Sequence, residues 1–242
     1  MKNFDVIAVI PAFNEENHIS EVIQLLNRFF TKDQILVAND GSTDNTLSIA
    51  QTYGVRSVSI QENQGKGFIL RKAFQVILSE MPNVKWIITI DADGQHNHKN
   101  IPQFLSISKS HPKIGIFVGH REYSMMPYIN RISNLLTSRW CKYWLKWDID
   151  DLQCGFRSYD VQSLRKIMKF GLTCRKFDLE TEILLVAWFL GIGLGQIPIS
   201  THYAEKRRRS RITPTTDTLR WIRLVTRSGF NSTFFRKMWH NM

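Results

Sequence analysis

The chain has 242 residues, 43% of them hydrophobic and 22% charged, which excludes a globally disordered protein and allows the packed core of one large α/β domain. A formal net charge of +11 favours polyanionic partners such as nucleotides, anionic lipid head groups or nucleic acid, and does not choose among them. Cys141, Cys154 and Cys174 are odd in number, widely spaced and form no C-x-x-C pair, which argues against a disulfide framework, and a reducing compartment is expected.

In chain order, Met1 to Asp5 leads directly into a strand pattern, with no signal-peptide cleavage site after it. Val6 to Ile10 is a continuous apolar run, as a strand buried on both faces requires. Residues 15–30 set Ile19, Val22, Ile23, Leu26 and Phe30 at helical spacing. A second short strand, Ile35 to Ala38, ends in the turn sequence Asn39-Asp40-Gly41-Ser42, and Asp44 stands where it can cap the next helix. Val55 to Ile60 reads as a third strand. Gly65-Lys66-Gly67 opens a helix through Leu70, Ala73, Phe74 and Ile77. Trp86 to Ile90 is a fourth strand that ends in Asp91-Ala92-Asp93, and Ile114 to Val118 is a fifth.

The second half is less regular. Residues 130–147 read as a helix rich in aromatic and basic side chains, followed by a polar loop from Asp148 to Phe156. Residues 178–190 form a helix with an acidic start, suited to a helix N-terminus. Ile183 to Ala204 lacks Asp, Glu, Lys and Arg and has the length of a membrane span. Gly191, Gly193, Gly195 and Pro198 interrupt it, so the expectation is a buried helix ending near Leu190 and then a strand through Ile197 and Ile199. Lys206 to Arg211 is a basic run, and Thr213-Pro214 reads as an N-cap with proline at the first helical position. The last segments, 214–228 and 232–240, interleave apolar and aromatic residues with Arg and Lys, a pattern that suits a membrane interface as well as packing on the chain's own domain.

The alternation of strand and helix implies an α/β fold with a mainly parallel sheet flanked by helices, Rossmann-like in its nucleotide-binding half. With no linker or repeat, one domain is expected over 1–242, in a regular first half (1–120), a less regular second part (121–213) and a basic amphipathic tail (214–242). Ligands bind such sheets at the carboxyl ends of the strands. The polar clusters fall there: Asn14-Glu15-Glu16, Asp40, and Asp91 with Asp93. Asp91-Ala92-Asp93-Gly94-Gln95 offers oxygen donors of the kind a hard dication shares with substrate phosphates. The reading is Mg²⁺ or Mn²⁺ held by Asp93 and Gln95 and bridged to a diphosphate, with Asp91 on the ribose or beside the metal. Asp40 can accept hydrogen bonds from a base or ribose.

Together these segments carry a resemblance. Pro11-Ala12-Phe13-Asn14-Glu15-Glu16, Asn39-Asp40-Gly41-Ser42-Thr43-Asp44, Gly65-Lys66-Gly67 with Arg71, and Asp91-Ala92-Asp93-Gly94-Gln95-His96 resemble, in order and spacing, the family 2 glycosyltransferases. Within them the chain is most similar to the dolichyl- and polyprenyl-phosphate sugar transferases, through Gly119-His120-Arg121, Asn130-Arg131 and Asp151-Leu152-Gln153-Cys154-Gly155-Phe156-Arg157. The resemblance covers residues 5–215. It implies a GT-A fold, nucleotide-sugar binding by 1–120, acceptor binding by 121–213, and an inverting transfer from a UDP- or GDP-linked sugar. By motif, Pro11, Phe13, Glu15 and Asp40 hold the nucleoside, with Lys66 and Arg71 also on the donor side. Asp91, Asp93 and Gln95 hold metal and diphosphate. Arg121, Arg131 and a basic residue of 206–211 bind the acceptor phosphate, for which the planar guanidinium fork is suited. The chain has Asn39 where many relatives carry Asp, and it lacks two hydrophobic C-terminal segments that some relatives use as an anchor.

A lipid-phosphate acceptor is already anionic and needs cationic positioning more than a base. A saccharide hydroxyl, the alternative acceptor in surface polysaccharide assembly, needs a carboxylate base, for which Asp151 is the candidate. A processive polymer synthase is disfavoured because no Q-x-x-R-W motif occurs. A basic nucleic-acid-binding module, motivated by Lys206 to Arg211, leaves the ordered acidic clusters unexplained. No nucleic-acid partner is therefore expected. The expected setting is the cytoplasm, peripheral to the inner face of a membrane.

Overall fold

The fold is that of a computed structural model, which describes residues 5–121, 128–145, 149–176 and 178–200. A seven-stranded sheet runs through it: β1 (Val6–Ala12), β2 (Ile35–Asn39), β3 (Arg56–Ser59), β4 (Trp86–Thr89), β5 (Ile114–Arg121), β6 (Arg157–Asp160) and β7 (Gly193–Ile199), in the order β3-β2-β1-β4-β6-β5-β7. Only β6 runs against its neighbours. The mainly parallel sheet expected from the alternation of elements is present. All seven residues of β1 are buried, which is why its sequence is a run of β-branched and small apolar residues with no polar alternation.

Helices flank the sheet: α1 (Ile19–Leu26), α2 (Thr46–Thr52), α3 (Lys66–Glu80), α4 (Ile101–Ser110), α5 (Tyr128–Leu145), α6 (Val161–Phe170) and α7 (Leu179–Phe189). α1 buries Ile19, Val22, Ile23 and Leu26, one face at 3.6-residue spacing. α3 contacts β1 and β2 and buries Ile69, Leu70, Ala73, Phe74 and Ile77. α6 is capped at one end by the Asp160 carboxylate, which accepts from the Ser163 N–H at 2.7 Å, and ends on Gly171 at φ 93°. α4, β6 and α6 add to the elements expected from sequence. Asp44, expected as the cap, stands one residue before it: Asn45 occupies the N-cap position of α2, while the Asp44 carboxylate accepts from the Thr46 N–H and hydroxyl.

The helix and strand expected within 178–200 appear as α7 and β7, and no helix among the described residues is long and apolar enough to cross a membrane. The basic run at 206–211, the turn at Thr213-Pro214 and the amphipathic segments of 214–242 lie outside the described residues.

Topology places the site. The chain passes from β1 outward through β2 and β3, then crosses back so that β4 lies on the other side of β1. The carboxyl ends of β1 and β4 therefore flank the topological switch point, where open α/β sheets bind ligands. Antiparallel β6 pairs Arg157 with Thr89 at the end of β4 and with Val118 of β5. Its entering loop, 151–156, is thereby brought to the same edge of the sheet.

Candidate active site

At the switch point stands a pair of crosslinked loops after β1 and β2. Asn14 has φ 51°, a left-handed conformation that Asn tolerates better than most residues. Hydrogen bonds fix it: its N–H donates to the Ser42 hydroxyl at 3.0 Å, and its Oδ1 accepts from the Thr43 N–H at 2.8 Å. The Glu15 N–H donates to Thr46 Oγ1 at 2.7 Å, and Glu16 accepts from the Asn45 N–H at 3.1 Å. Pro11, Glu15 and Asp40 are buried here and Phe13 is half-buried. The Asp40 carboxylate accepts from Asn63 Nδ2 at 2.9 Å and from the N–H groups of Gln64 and Gly65 at 3.0 and 2.9 Å. Burial raises its pKa, against the lowering effect of those N–H donors. Asp40 therefore ties β2 to the loop that leads into α3. Gly41 is required at that junction: φ is +68°, and a Cβ would lie 2.6 Å from the Glu62 carbonyl carbon.

The second cluster is centred on Asp91 at the end of β4. Lys66 Nζ lies 2.6 Å from Asp91 Oδ1 and 2.8 Å from Glu180 Oε1. His96 Nε2 lies 3.2 Å from Asp91 Oδ2. Burial opposes ionisation of Asp91, but the Lys66 ammonium and His96 overcome it and hold the carboxyl well below its usual range. Burial likewise opposes the Lys66 charge, and Asp91 and Glu180 outweigh it and raise the ammonium pKa. The His96 ring packs edge-on against Phe156, which stacks on Phe104 at 4.2 Å. Gly155 presses on the carboxylate so closely that a Cβ there would sit 2.4 Å from Asp91 Oδ2.

Asp93 stands one residue beyond Ala92, in a turn completed by Gly94 at φ +70°. One of its carboxylate oxygens accepts from the Gln95 N–H at 3.0 Å; the other carries no hydrogen bond among the described residues. The Asp93 carboxylate and the Gln95 amide oxygen are hard oxygen donors of the kind that suits Mg²⁺ or Mn²⁺. Among the described residues no three His, Cys, Asp or Glu side chains converge as a metal cage. Arg71, five residues into α3 from Lys66, donates to the Leu172 carbonyl at 2.5 Å and lies 5.9 Å from the centre of the Phe68 ring. This joins α3 to the 172–176 segment.

The third cluster lies at the end of β5. Arg121 grips Asp151 bidentately, with Nε to Oδ2 at 2.6 Å and a terminal nitrogen to Oδ1 at 2.9 Å. Asn134 of α5 donates to Oδ1 at 2.8 Å. Burial alone would raise the pKa of Asp151, which is fully enclosed, but the Arg121 guanidinium and these donors lower it. Arg131, one turn before Asn134 on α5, is exposed. Arg157 is wholly buried and donates to the carbonyls of Cys154, Glu180 and Leu152 at 2.8, 2.6 and 2.6 Å. It fastens the 151–156 loop to the start of α7.

The structure thus brings Lys66, Asp91, His96 and Glu180 into one contact network, and Arg121, Asp151 and Asn134 into another. Glu180, His96, Asn134 and Arg157 were assigned no site role from the sequence, although His96 and Arg157 stand inside the motifs that carry the resemblance. Glu180 left an acidic helix start as its signal, and that is also what the helix dipole favours.

A mainly parallel seven-stranded sheet flanked by helices, with carboxylates in the loops that follow β1, β2 and β4, is the architecture of a GT-A glycosyltransferase. Among solved structures, glucosyl-3-phosphoglycerate synthase from Mycobacterium tuberculosis, in complex with Mn²⁺, uridine diphosphate and phosphoglyceric acid, superimposes with a TM-score of 0.71 at 16% identity, covering 91% of this chain and 77% of that one. Residues 7–168 match the model of glycosyl transferase family 2, and the chain belongs to that family. Its relatives include the UDP-N-acetylglucosamine–dolichyl-phosphate N-acetylglucosaminyltransferase of Methanococcus voltae, 26% identical over 83% of this chain and 86% of that protein. The dolichyl-phosphate hexose transferase of Haloferax volcanii is 27% identical over 87% of each.

Proposed function

We propose that this glycosyltransferase moves a sugar from a nucleoside diphosphate to a polyprenyl phosphate, with inversion and with a divalent cation. The observation that carries the choice of acceptor is the Arg121–Asp151 pair. A general base works best with a pKa near the operating pH, whereas Asp151 is held ionised, enclosed and hydrogen-bonded on both oxygens. That favours an acceptor that brings its own negative charge over a saccharide hydroxyl. The two relatives whose printed names specify dolichyl phosphate support the same choice.

In this reading the crosslinked loops at Pro11 to Glu15 and Asp40 to Ser42 form a rigid nucleoside seat. Lys66 and Arg71 flank the donor at the head of α3. Asp93 and Gln95 hold Mg²⁺ or Mn²⁺, which when bound screens the charge of the departing diphosphate. Asp91, fixed by Lys66 and His96, orients the ribose or the solvent shell of the cation. Arg121, held in place by Asp151, and exposed Arg131 position the acceptor phosphate. Its oxygen then bonds to the anomeric carbon as the bond from that carbon to the diphosphate oxygen breaks on the opposite face. Asp151 serves to position Arg121, not to take a proton. An acceptor of this kind resides in a membrane, so the basic chain works at an anionic surface, for which the cytoplasmic leaflet is suited.

The experiment is transfer by purified protein from UDP-glucose, UDP-N-acetylglucosamine and GDP-mannose, with and without a polyprenyl phosphate, in Mn²⁺ or EDTA. Lipid-dependent, EDTA-sensitive transfer from one of these donors is expected. Transfer to a saccharide with none to the lipid overturns the acceptor assignment.

A further inference from the structure

Lys66 is flanked by Gly65 and Gly67, and both glycines are required by the same neighbour. A Cβ at Gly65 would lie 2.6 Å from the Arg175 carbonyl oxygen, and one at Gly67 would lie 2.5 Å from the Lys176 carbonyl oxygen and 2.8 Å from Leu179 Cβ. The head of α3 therefore lies flush against the 175–179 segment, and the Phe68 N–H donates to the Arg175 carbonyl at 2.9 Å. This close approach is what brings Lys66 to Glu180, the second residue of α7. Glu180 is itself pinned, because the buried Arg157 guanidinium holds its carbonyl at 2.6 Å. Glu180 is buried, and the lysine it meets is half-buried.

A buried carboxylate on one lysine that is already paired with Asp91 has an electrostatic consequence. Two anions share one cation, so the ammonium does not fully neutralise Asp91. Asp91, Asp93, Glu180 and Lys66 together leave a net charge of −2, the charge that one divalent cation balances. Without the Glu180 charge, Lys66 keeps its pairing with Asp91 and the strand end retains one negative charge fewer.

Resting on the reading of Asp93 and Gln95 as cation ligands, we propose that Glu180 is a positioning residue for the donor site. It holds Lys66 in a shared seat and keeps the strand-end carboxylates anionic enough to bind the dication that accompanies the donor diphosphate. Residues in this outer role typically change metal affinity ten- to a hundred-fold when altered, about the range expected here.

The test is titration of Mn²⁺, followed by electron paramagnetic resonance, into full-length protein with saturating UDP or GDP, alongside thermal melts. Glu180→Gln keeps an oxygen for Lys66 and removes the charge. It is expected to weaken Mn²⁺ about tenfold or more while melting within a few degrees of wild type; Glu180→Asp is expected to restore much of the affinity. Gly67→Ala disturbs the same seat without changing any charge and is expected to weaken Mn²⁺ as well. Mn²⁺ affinity within twofold of wild type in a folded Glu180→Gln protein overturns the proposal. So does a lowered melting temperature with undiminished Mn²⁺ affinity, which is the signature of a merely structural glutamate. If the wild-type protein itself binds no Mn²⁺ with either nucleotide, the cation-site reading fails and this inference falls with it, an outcome distinct from failure at Glu180 alone.

Discussion

Gly155→Ala adds one methyl group and tests whether the placement of Asp91 governs activity. The backbone of Gly155 is not in the left-handed region, unlike that of Gly41, Gly65 or Gly94, so the substitution carries no conformational penalty and its effect is the contact. The new Cβ would sit 2.4 and 2.6 Å from the two Asp91 carboxylate oxygens. A tolerable carbon–oxygen contact is about 3.2 Å, so the carboxylate must retreat by about 0.8 Å. The loop cannot easily yield instead, because the Gly155 carbonyl accepts from Thr89 Oγ1 at 2.8 Å and Arg157 grips the carbonyls of Cys154 and Leu152. Retreat breaks the contact with Lys66 or with His96. A misplacement of about 1 Å in a positioning group costs about a hundredfold in rate, and overpacking costs about 1–3 kcal/mol of stability. The assay is kcat/KM for donor transfer at saturating lipid phosphate, on protein shown by a thermal melt to be folded. A folded Gly155→Ala protein with kcat/KM within twofold of wild type would refute the claim that Asp91 must be held where it stands.

Three further outcomes are expected. Asp93→Ala should lower transfer by about two to three orders of magnitude and leave the melting temperature nearly unchanged, since its carboxylate holds only the Gln95 N–H among the described residues. Asp151→Asn strands the Arg121 charge and should cost about 3–5 kcal/mol in urea unfolding at neutral pH. Because the folded-state pKa of Asp151 is lowered, its stabilisation is present above the unfolded value of about 3.9 and is lost as pH falls through the folded value; a stability–pH profile of Asp151→Asn should therefore have a flatter acid limb. Arg157→Met leaves three buried carbonyls without their donor and should destabilise by about 3 kcal/mol or more, read as a fall in melting temperature.

The inner strands of the parallel half were legible because β1 and β2 are buried on both faces and so write unbroken apolar runs, as Val6 to Ile10 and Ile35 to Ala38 do. β6 was not, because its residues Arg157, Ser158, Tyr159 and Asp160 look polar. Three backbone carbonyls satisfy the arginine in the core, and no local pattern encodes that. α6 left a readable signal, an Asp160 cap ahead of Val161, Leu164 and Ile167 at helical spacing, and so its absence from the expected elements is a reading error, not a silence of the sequence. In the site, Asp91 and Asp93 were legible as carboxylates at a strand end, whereas Lys66, at the head of α3, and Arg121 were singled out only through the family resemblance. Their pairings were not legible: Lys66 with Glu180 spans 114 positions, from 66 to 180, and Arg121 with Asp151 spans 30. Those pairings are the ground on which the proposed function takes Asp151 as an anchor for Arg121 and not as a base, and they place the buried Glu180 on Lys66.

The central claim is that the acceptor is a lipid monophosphate. It is tested most directly by mass spectrometry of the lipid fraction after incubation of the protein with polyprenyl phosphate, Mn²⁺ and the donor it accepts. The account predicts a lipid heavier by one glycosyl unit, with a single phosphate between sugar and lipid. An unchanged lipid alongside a glycosylated saccharide added to the same reaction would contradict it.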